Sequence, residues 1–412
     1  MVTTTTTLSR TNLVNWRTAV FTMFLMCGLT FASWASRLPA VKLNLGIDDF
    51  EVGVLLFAMG AGSLAGVMSA NVIVARWGAK KGLSVTVVGV AVGLLAAALG
   101  VDALSSYALA VIGLAVMGLC FGATDVMINV EAAAVEQASG RTLMPLFHAF
   151  FSLGTVAGAG IGVVMAQWGV TVSWHLGAVA AVWFVITVVA LRFIPAHAAG
   201  TEEVPEATTG DRRQRLADAL AVWRDPRTYA IGLIILGMAF AEGSANDWLT
   251  IAVVDGHGQR EEVGAIALTV FSIAMTVFRA VGGLIADRLG RVWTLRLLAV
   301  TAGVGLAMFI LAPNLPLAFV GVALWGAGAS LGFPLGMSAA ADDPTKAAAS
   351  VSAAATIGYI AFLCGPPVLG WISHQIGILP TLWIIVGLIV MSGFASGAAK
   401  PVAGSKVGAG HH

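Results

Sequence analysis

The stretch GLIADRLGR, residues 283–291, decides the fold because a weaker copy of it, NVIVARWGA, occupies residues 71–79. Each copy ends a long apolar segment, and the two segments open alike, with Glu51-Val52-Gly53 in one and Glu262-Val263-Gly264 in the other. Both segments therefore enter the membrane in the same direction. The sequence predicts a parallel internal repeat of two equivalent halves, which can rock against one another around a shared cavity.

The composition around this repeat is typical of a membrane protein. Of the 412 residues, 58% are hydrophobic and only 10% are charged, whereas soluble domains carry roughly 25% charged residues. A single soluble core cannot hide so much apolar surface, but a lipid bilayer can. The net charge of +1 gives no basis for a nucleic-acid partner.

Twelve apolar runs are long enough to cross a bilayer, for which about 20 residues are needed. We therefore predict an all-α membrane protein with twelve transmembrane helices. It divides into an N-terminal six-helix bundle (residues 1–194), a cytoplasmic linker (195–228) and a C-terminal six-helix bundle with its tail (229–412). The predicted spans lie near residues 16–39, 50–75, 82–100, 106–131, 144–166, 173–194, 229–253, 263–286, 294–312, 317–340, 348–373 and 380–398.

The basic residues predict the orientation of these spans. Most of the 22 Lys and Arg residues fall in the two tails, the linker and alternate loops, so the positive-inside rule places both termini in the cytoplasm. The chain has no Asn-x-Ser/Thr glycosylation site, which favours a bacterial source. We expect a multi-pass protein of the bacterial plasma (inner) membrane. We also expect a monomer, since one chain supplies both halves of a transport path.

The motif Gly283-x-x-x-Asp287-Arg288-x-Gly290-Arg291 resembles the cytoplasmic signature of the major facilitator superfamily. The earlier copy departs from that signature, with Ala75 in place of the Asp and Ala79 in place of an Arg. The resemblance implies the major facilitator fold, in which the twelve helices form two pseudo-symmetric six-helix bundles.

Five further segments resemble a bacterial branch related to fucose-type sugar/proton symporters. In those symporters the fourth span carries an acidic residue followed four positions later by Asn, and Asp125 and Asn129 match this pattern. The resemblance implies proton-coupled transport of a small polar solute. The five segments are residues 33–39, 125–130, 144–149, 242–248 and 340–344.

Asp125 is a candidate proton carrier in the fourth span. An ionisable side chain in hydrocarbon costs about 2.5–3.5 kcal/mol on insertion scales, so it persists where it pairs, faces water or has a function. Asn129 lies one helical turn further and projects on the same face, which makes it a candidate for binding the solute. The other interpretation of Asp125 is a carboxylate that an interhelical hydrogen bond holds in place.

The seventh span holds four candidates, Glu242, Asn246, Asp247 and Trp248. Glu242 and Asn246 share a face, whereas Asp247 points about 140° away from Glu242 at 3.6 residues per turn. Carboxylate, amide and indole groups together suit a hydroxyl-rich ligand, and both carboxylates are candidates for proton coupling. For Asp247 and Trp248 the other interpretation is an anchor near the outer water interface.

Two arginines lie within or beside predicted spans and are candidates for binding the solute. Arg279 either binds solute or neutralises a buried carboxylate. Arg37 either binds solute or extends its guanidinium to the outer interface. Trp34 and Tyr359 complete the set of candidate binding residues, although aromatic side chains in membrane helices more often serve packing.

The charged end of the eighth span predicts a gate. Asp287 is expected to pair with Arg288, Arg291 or a neighbouring helix, which would clamp the cytoplasmic side in one state. Arg76 takes the place of Arg288 in the earlier copy. We assign these four residues to gating and not to specificity.

These features predict a secondary active transporter that moves a small polar, sugar-like solute by alternating access, as a proton-coupled symporter. The alternative is a proton-driven antiporter that exports drugs or metabolites. Such an exporter would have a more apolar cavity, and the many Met, Phe and Trp residues are compatible with one. A non-transporting sensor is less favoured because the longest loop, 195–228, is short. No nucleotide-binding loop, metal-ligand cluster or nucleophile–base pair is evident, so we expect no enzyme and no cofactor or metal, with a proton gradient as the energy source.

Overall fold

The computed structural model describes residues 10–141, 143–195, 222–343 and 346–401. The described part is helical and contains no β-strand, which confirms the predicted all-α class. Most of the predicted linker lies outside the described residues.

Seven helices lie in the described ranges that precede the linker. They are α1 (Arg10–Ala35), α2 (Leu38–Leu45), α3 (Asp49–Trp77), α4 (Ala79–Val101), α5 (Tyr107–Ser139), α6 (Met144–Gln167) and α7 (Val172–Leu191).

Eight helices lie in the part that the structure describes after the linker. They are α8 (Pro226–Ile251), α9 (Glu261–Leu289), α10 (Arg291–Leu311), α11 (Leu315–Ala329), α12 (Gly332–Ala340), α13 (Ala347–Ile376), α14 (Ile378–Thr381) and α15 (Trp383–Ala395). A π-helix over Ala252–Gly256 extends α8, and a 3-10 helix over Ser396–Ala399 extends α15.

Twelve helical segments among the described residues are long and apolar enough to cross a membrane, as predicted. The tenth of them consists of α11 and α12, and the twelfth of α14, α15 and the 3-10 helix. The first span differs from its predicted bounds of 16–39, because α1 ends at Ala35 and a new helix begins at Leu38. Pro39 stands in the first turn of α2, where proline is tolerated because that turn's N–H groups need no helical partner.

The chain divides into two compact units. Unit 1 comprises residues 1–47 and 55–205, and unit 2 comprises residues 48–54 and 206–412. The bundle boundaries predicted at residues 194 and 229 stay a prediction, since residues 196–221 between them lie outside the described part.

The same glycine crossing occurs in both units. In unit 1, α4 meets α5 at Gly93, where a Cβ would lie 2.7 Å from the carbonyl oxygen of Gly113. In unit 2, α10 meets α11 at Gly305, where a Cβ would lie 2.7 Å from the carbonyl oxygen of Gly321. A side chain has no room at either crossing, so the helix backbones approach each other directly. Gly93 and Gly305 are separated by the same distance in sequence as the two motif copies, so the repeat extends to helix packing.

Candidate functional site

An ion pair joins two membrane spans of unit 2. Arg279 on α9 donates from Nη2 to Oε2 of Glu242 on α8 over 3.1 Å, and from Nε to the carbonyl oxygen of Ser330 over 2.9 Å. The side chains of Arg279 and Glu242 are 30% and 21% exposed. The structure therefore brings together two residues that the sequence places 37 positions apart.

The Ser330 carbonyl is available to Arg279 because the tenth span breaks there. In a continuous helix this oxygen would accept from the N–H of residue 334, but that residue is Pro334 and has no N–H to donate. The helix stops at Ala329 and restarts at Gly332. A freed carbonyl inside a membrane needs another donor, and the Arg279 guanidinium supplies it.

Both side chains of this ion pair are partly exposed although they lie in membrane spans. An ion pair in a membrane span almost always faces the bundle interior or water, because hydrocarbon does not solvate charge. Both members keep part of their surface uncovered. The Glu242–Arg279 pair is therefore a partly exposed charged group within the spans of unit 2.

Asp247 lines a small cavity one and a half turns beyond Glu242 on α8. The cavity has a volume of about 10 Å³, and residues such as Ser244, Phe362 and Pro366 also line it. That volume accommodates about one water molecule. Asp247 and Glu242 are therefore in different surroundings, as the helical period predicted.

Trp248 does not share the exposed position of the ion pair. Its side chain is 0% exposed in the interior of unit 2, so it is not an anchor at a water interface. Within the described part of the chain its indole N–H has no hydrogen-bond partner, and neither does the buried hydroxyl of Ser244. Asn246 is half-buried beside it.

Asp125 and Asn129 meet on α5 in unit 1, as predicted. Asn129 Nδ2 donates to the backbone oxygen of Asp125 over 2.9 Å and lies 3.5 Å from its Oδ1. Among the described residues the Asp125 carboxylate has no hydrogen bond to another helix, so the interhelical interpretation is wrong there. Asp125 is half-buried, and the contact of its carboxylate among the described residues is with Asn129 of its own helix.

Arg37 is buried in unit 1, and not extended to the outer interface as one interpretation held. Arg37 is 3% exposed. Its Nη2 donates to the carbonyl oxygen of Val170 over 2.7 Å. Nη1 lies 3.4 Å from Nδ1 of His175 on α7. The turn between α1 and α2 directs Arg37 inward, and the arginine joins that turn to the start of α7.

The two remaining aromatic candidates lie in opposite environments. Trp34 is 1% exposed in the core of unit 1, whereas Tyr359 on α13 is 44% exposed. As placed, Trp34 and Trp248 pack inside their own units and present no surface to a solute. We therefore leave both tryptophans out of the proposed site.

Glu131 is a buried carboxylate that the sequence pattern did not single out as a site residue. It lies on α5 six positions after Asp125, is 1% exposed, and accepts a hydrogen bond of 2.8 Å from Nε1 of Trp16 on α1. An acidic residue at the end of an apolar run was the available signal. Because an indole of another helix holds Glu131, we interpret it as structural, in contrast to Asp125.

The predicted pairing of Asp287 with Arg288, Arg291 or a neighbouring helix is wrong for the described residues, where Arg291 pairs with Asp342 instead. Arg291 donates from Nη1 to Asp342 over 2.9 Å, and Arg227 donates from Nη2 to the same carboxylate over 2.9 Å. Asp287 and Arg288 are exposed and form no ion pair in the described part, and the same holds for Arg76. Gly290, with φ of 74°, turns the chain between α9 and α10. The turn takes Arg291 away from Asp287 toward the C-terminal end of α12.

Asp342 thus forms ion pairs with two arginines at this end of unit 2. Its side chain is 6% exposed, against 27% for Arg227 and 15% for Arg291. We expect Asp342→Asn to lower the free energy of unfolding by about 1.5–3 kcal/mol, the range for hydrogen bonds to charged groups. Thermal unfolding in detergent measures this loss. Asp287→Asn, at an exposed carboxylate of the same end, is the matched control, and equal losses in the two variants would contradict the assignment.

No group of three or more His, Cys, Asp or Glu residues in the described ranges is placed to hold a metal ion. The candidate site is therefore built from the ion pair and the carboxylates of the spans.

The sequence matches the family model described as Major Facilitator Superfamily over residues 19–366 and 248–406. An uncharacterized MFS-type transporter of Yersinia pestis is 30% identical over 383 residues, which cover 91% of this chain and 93% of that protein.

Two solved structures share the fold. A variant of the nucleoside transporter NupG gives a TM-score of 0.76 at 15% identity, over 94% of this chain and 100% of that chain. A variant of the E. coli fucose:proton symporter FucP gives a TM-score of 0.64 at 15% identity, over 95% of this chain and 100% of that chain. At such identities the likeness concerns the fold alone.

Proposed function

The chain belongs to the major facilitator superfamily, and we propose that it moves a small polar, sugar-like solute by alternating access, in symport with protons. It is a multi-pass membrane transporter with twelve candidate spans in its described part. We further propose that it resides in the bacterial plasma membrane as a monomer, with both termini and the 195–228 linker in the cytoplasm. In this proposal the proton gradient supplies the energy, and no cofactor takes part.

The Glu242–Arg279 pair is the observation that carries the proposal. Because a carboxylate and a guanidinium neutralise each other at 3.1 Å, the pair as a whole favours a neutral solute over a charged one. The carboxylate accepts hydrogen bonds and the guanidinium donates them, so the pair can bind neighbouring hydroxyl groups of one molecule. Nucleosides and fucose, named for the two structural neighbours, are hydroxyl-bearing solutes of this kind.

The carboxylates without ion-pair partners support proton coupling. Asp125 in unit 1 has no interhelical hydrogen bond within the described residues, and Asp247 in unit 2 borders a cavity of one-water size. Burial raises the cost of the charged form of a carboxylate, so such groups take up and release protons as their access to water changes. Because Arg279 binds the Glu242 carboxylate, we assign Glu242 to solute binding in preference to proton coupling.

The test is pH-dye fluorescence in proteoliposomes to which sugars, polyols, nucleosides and organic acids are added in turn. Symport predicts that a transported solute carries protons into the vesicles and acidifies the lumen when both move inward. Protein-free liposomes supply the leak rate. Solute uptake that ignores an imposed pH gradient would contradict the coupling.

The alternative, a proton-driven antiporter that exports drugs or metabolites, gives the opposite result in the same assay. Entry of an apolar compound would then remove protons from the lumen, and the polar solutes would leave the dye signal at the leak rate. The sign of the proton movement and the polarity of the active compounds therefore separate the two functions.

A further inference from the structure

An open groove lies on the surface of unit 2 between α10 and α15, and neither Glu242 nor Arg279 lines it. Its volume is about 670 Å³, within the range of 300–1,000 Å³ that is usual for ligand pockets. Small residues line it, including Ala299, Gly303 and Gly393. Val300 is 62% exposed and Phe394 is 85% exposed, so the groove opens outward from the protein.

The lining of this α10–α15 groove is apolar apart from one charged residue at its end. That residue is Arg296, whose guanidinium carbon lies 5.0 Å from the ring centroid of Trp293. Its Nε donates to the hydroxyl of Ser396 over 3.1 Å. Within the described residues its two Nη groups make no hydrogen bond and no ion pair. The groove therefore ends in a positive charge that is held in place and keeps free donors.

The charged end of the groove lies at the level of the membrane interface. Arg296 is five residues into α10, so about 7.5 Å of helix separates it from the end of the span at 1.5 Å per residue. Trp293, 63% exposed, is of the type enriched at the boundary between hydrocarbon and head groups. Lys400 is exposed just beyond the 3-10 helix that extends α15. The groove end itself thus combines one cation, Arg296, with an interfacial aromatic ring.

We propose that the α10–α15 groove binds one anionic phospholipid of the surrounding bilayer. The phosphate accepts hydrogen bonds from the Nη groups of Arg296, and an acyl chain lies along Ala299 and Gly303 toward the middle of the span. Guanidinium–phosphate hydrogen bonds are charge-assisted and strong, and basic pockets between helices on the cytoplasmic side favour anionic head groups. The inference is independent of the solute and of the coupling.

A second copy of the chain fits the groove less well. Covering it with another protein's apolar surface would bury the Arg296 charge without an anion, which is costly. An anionic phospholipid satisfies both the apolar walls and the charge at their end.

Native mass spectrometry of the delipidated protein tests the proposal. Phosphatidylglycerol and phosphatidylcholine with identical acyl chains are titrated into separate samples. We expect wild type to bind one phosphatidylglycerol with higher affinity, and Arg296→Gln to weaken that binding about fivefold, the effect of one cation near an anionic lipid. Gly303→Leu should weaken both lipids, because its side chain enters the groove, where the nearest atom to a Cβ is 3.6 Å away.

Two further variants keep the test decisive. Arg296→Lys retains the charge and should keep most of the preference for phosphatidylglycerol, even though the contact with Ser396 changes. Arg192→Gln, at an exposed arginine that ends α7 in unit 1, should leave lipid binding unchanged. Equal binding of the two lipids by wild type, an unchanged affinity in Arg296→Gln, or a dimer that excludes lipid would overturn the proposal.

Discussion

Replacing Arg279 by glutamine is expected to reduce solute transport about 100-fold. The change removes the guanidinium from both Glu242 and the Ser330 carbonyl and leaves each without its donor inside the membrane. Truncating one partner of a hydrogen-bonded charge pair costs about 2–5 kcal/mol, and about 2.7 kcal/mol corresponds to the 100-fold reduction. Initial uptake rates into proteoliposomes, normalised to the amount of folded protein, measure the effect.

A double variant separates solute binding from folding. Glu242→Gln combined with Arg279→Gln removes both charges together, which is often neutral for stability where a single removal is destabilising. We expect this double variant to unfold near the wild-type temperature and to transport no better than Arg279→Gln. Arg279→Lys keeps the charge but loses the forked donors that reach two acceptors at once, so intermediate transport is expected. Uptake at the wild-type rate in Arg279→Gln would remove the pair from the transport mechanism.

Replacing Asp125 by asparagine is expected to reduce solute-driven proton flux to the rate of protein-free liposomes. An amide has nearly the shape of the carboxylate and can keep the contact with Asn129, but it does not exchange a proton. Exchange of labelled for unlabelled solute across the membrane should continue, because that process needs no net proton movement. The dye assay and the exchange assay, run on the same vesicles, measure the two effects.

Glu131→Gln is the matched control for Asp125→Asn. It makes the same chemical change on the same helix, at a carboxylate that Trp16 holds. We expect its proton flux to stay near the wild-type rate at equal protein content. Should Glu131→Gln lose the flux while Asp125→Asn keeps it, Glu131 would be the proton carrier.

The fold could be predicted from the sequence because its causes are local. A span needs only about 20 apolar residues in a row, so the twelve spans are visible without any knowledge of packing. The repeat of GLIADRLGR and NVIVARWGA is likewise a property of the sequence, and the matching crossings at Gly93 and Gly305 follow it. The early end of α1 at Ala35 was not predicted, although Pro39 provides a local signal for it.

The site was predicted only where one helix decides the geometry. Asp125 and Asn129 are four positions apart on α5, so the helical period alone brings them together. The same period separated Asp247 from Glu242. Residue type and spacing within a helix were enough for these statements, and burial was not needed.

Pairings between helices depended on the tertiary structure. The spacing of residues along the chain does not show which spans become neighbours. Asp342 could therefore not be recognised as the partner of Arg291 and Arg227. Nor could Val170 and His175 be recognised as the partners of Arg37. The sequence by itself determined the membrane fold, the repeat and the charged residues inside the spans. Only the tertiary structure decided which of those charges are neutralised, which side chains are buried and where the α10–α15 groove opens. The reason is physical: hydrophobic runs and helical periods are local, whereas the pairing and the exposure of a charge depend on which helices pack around it.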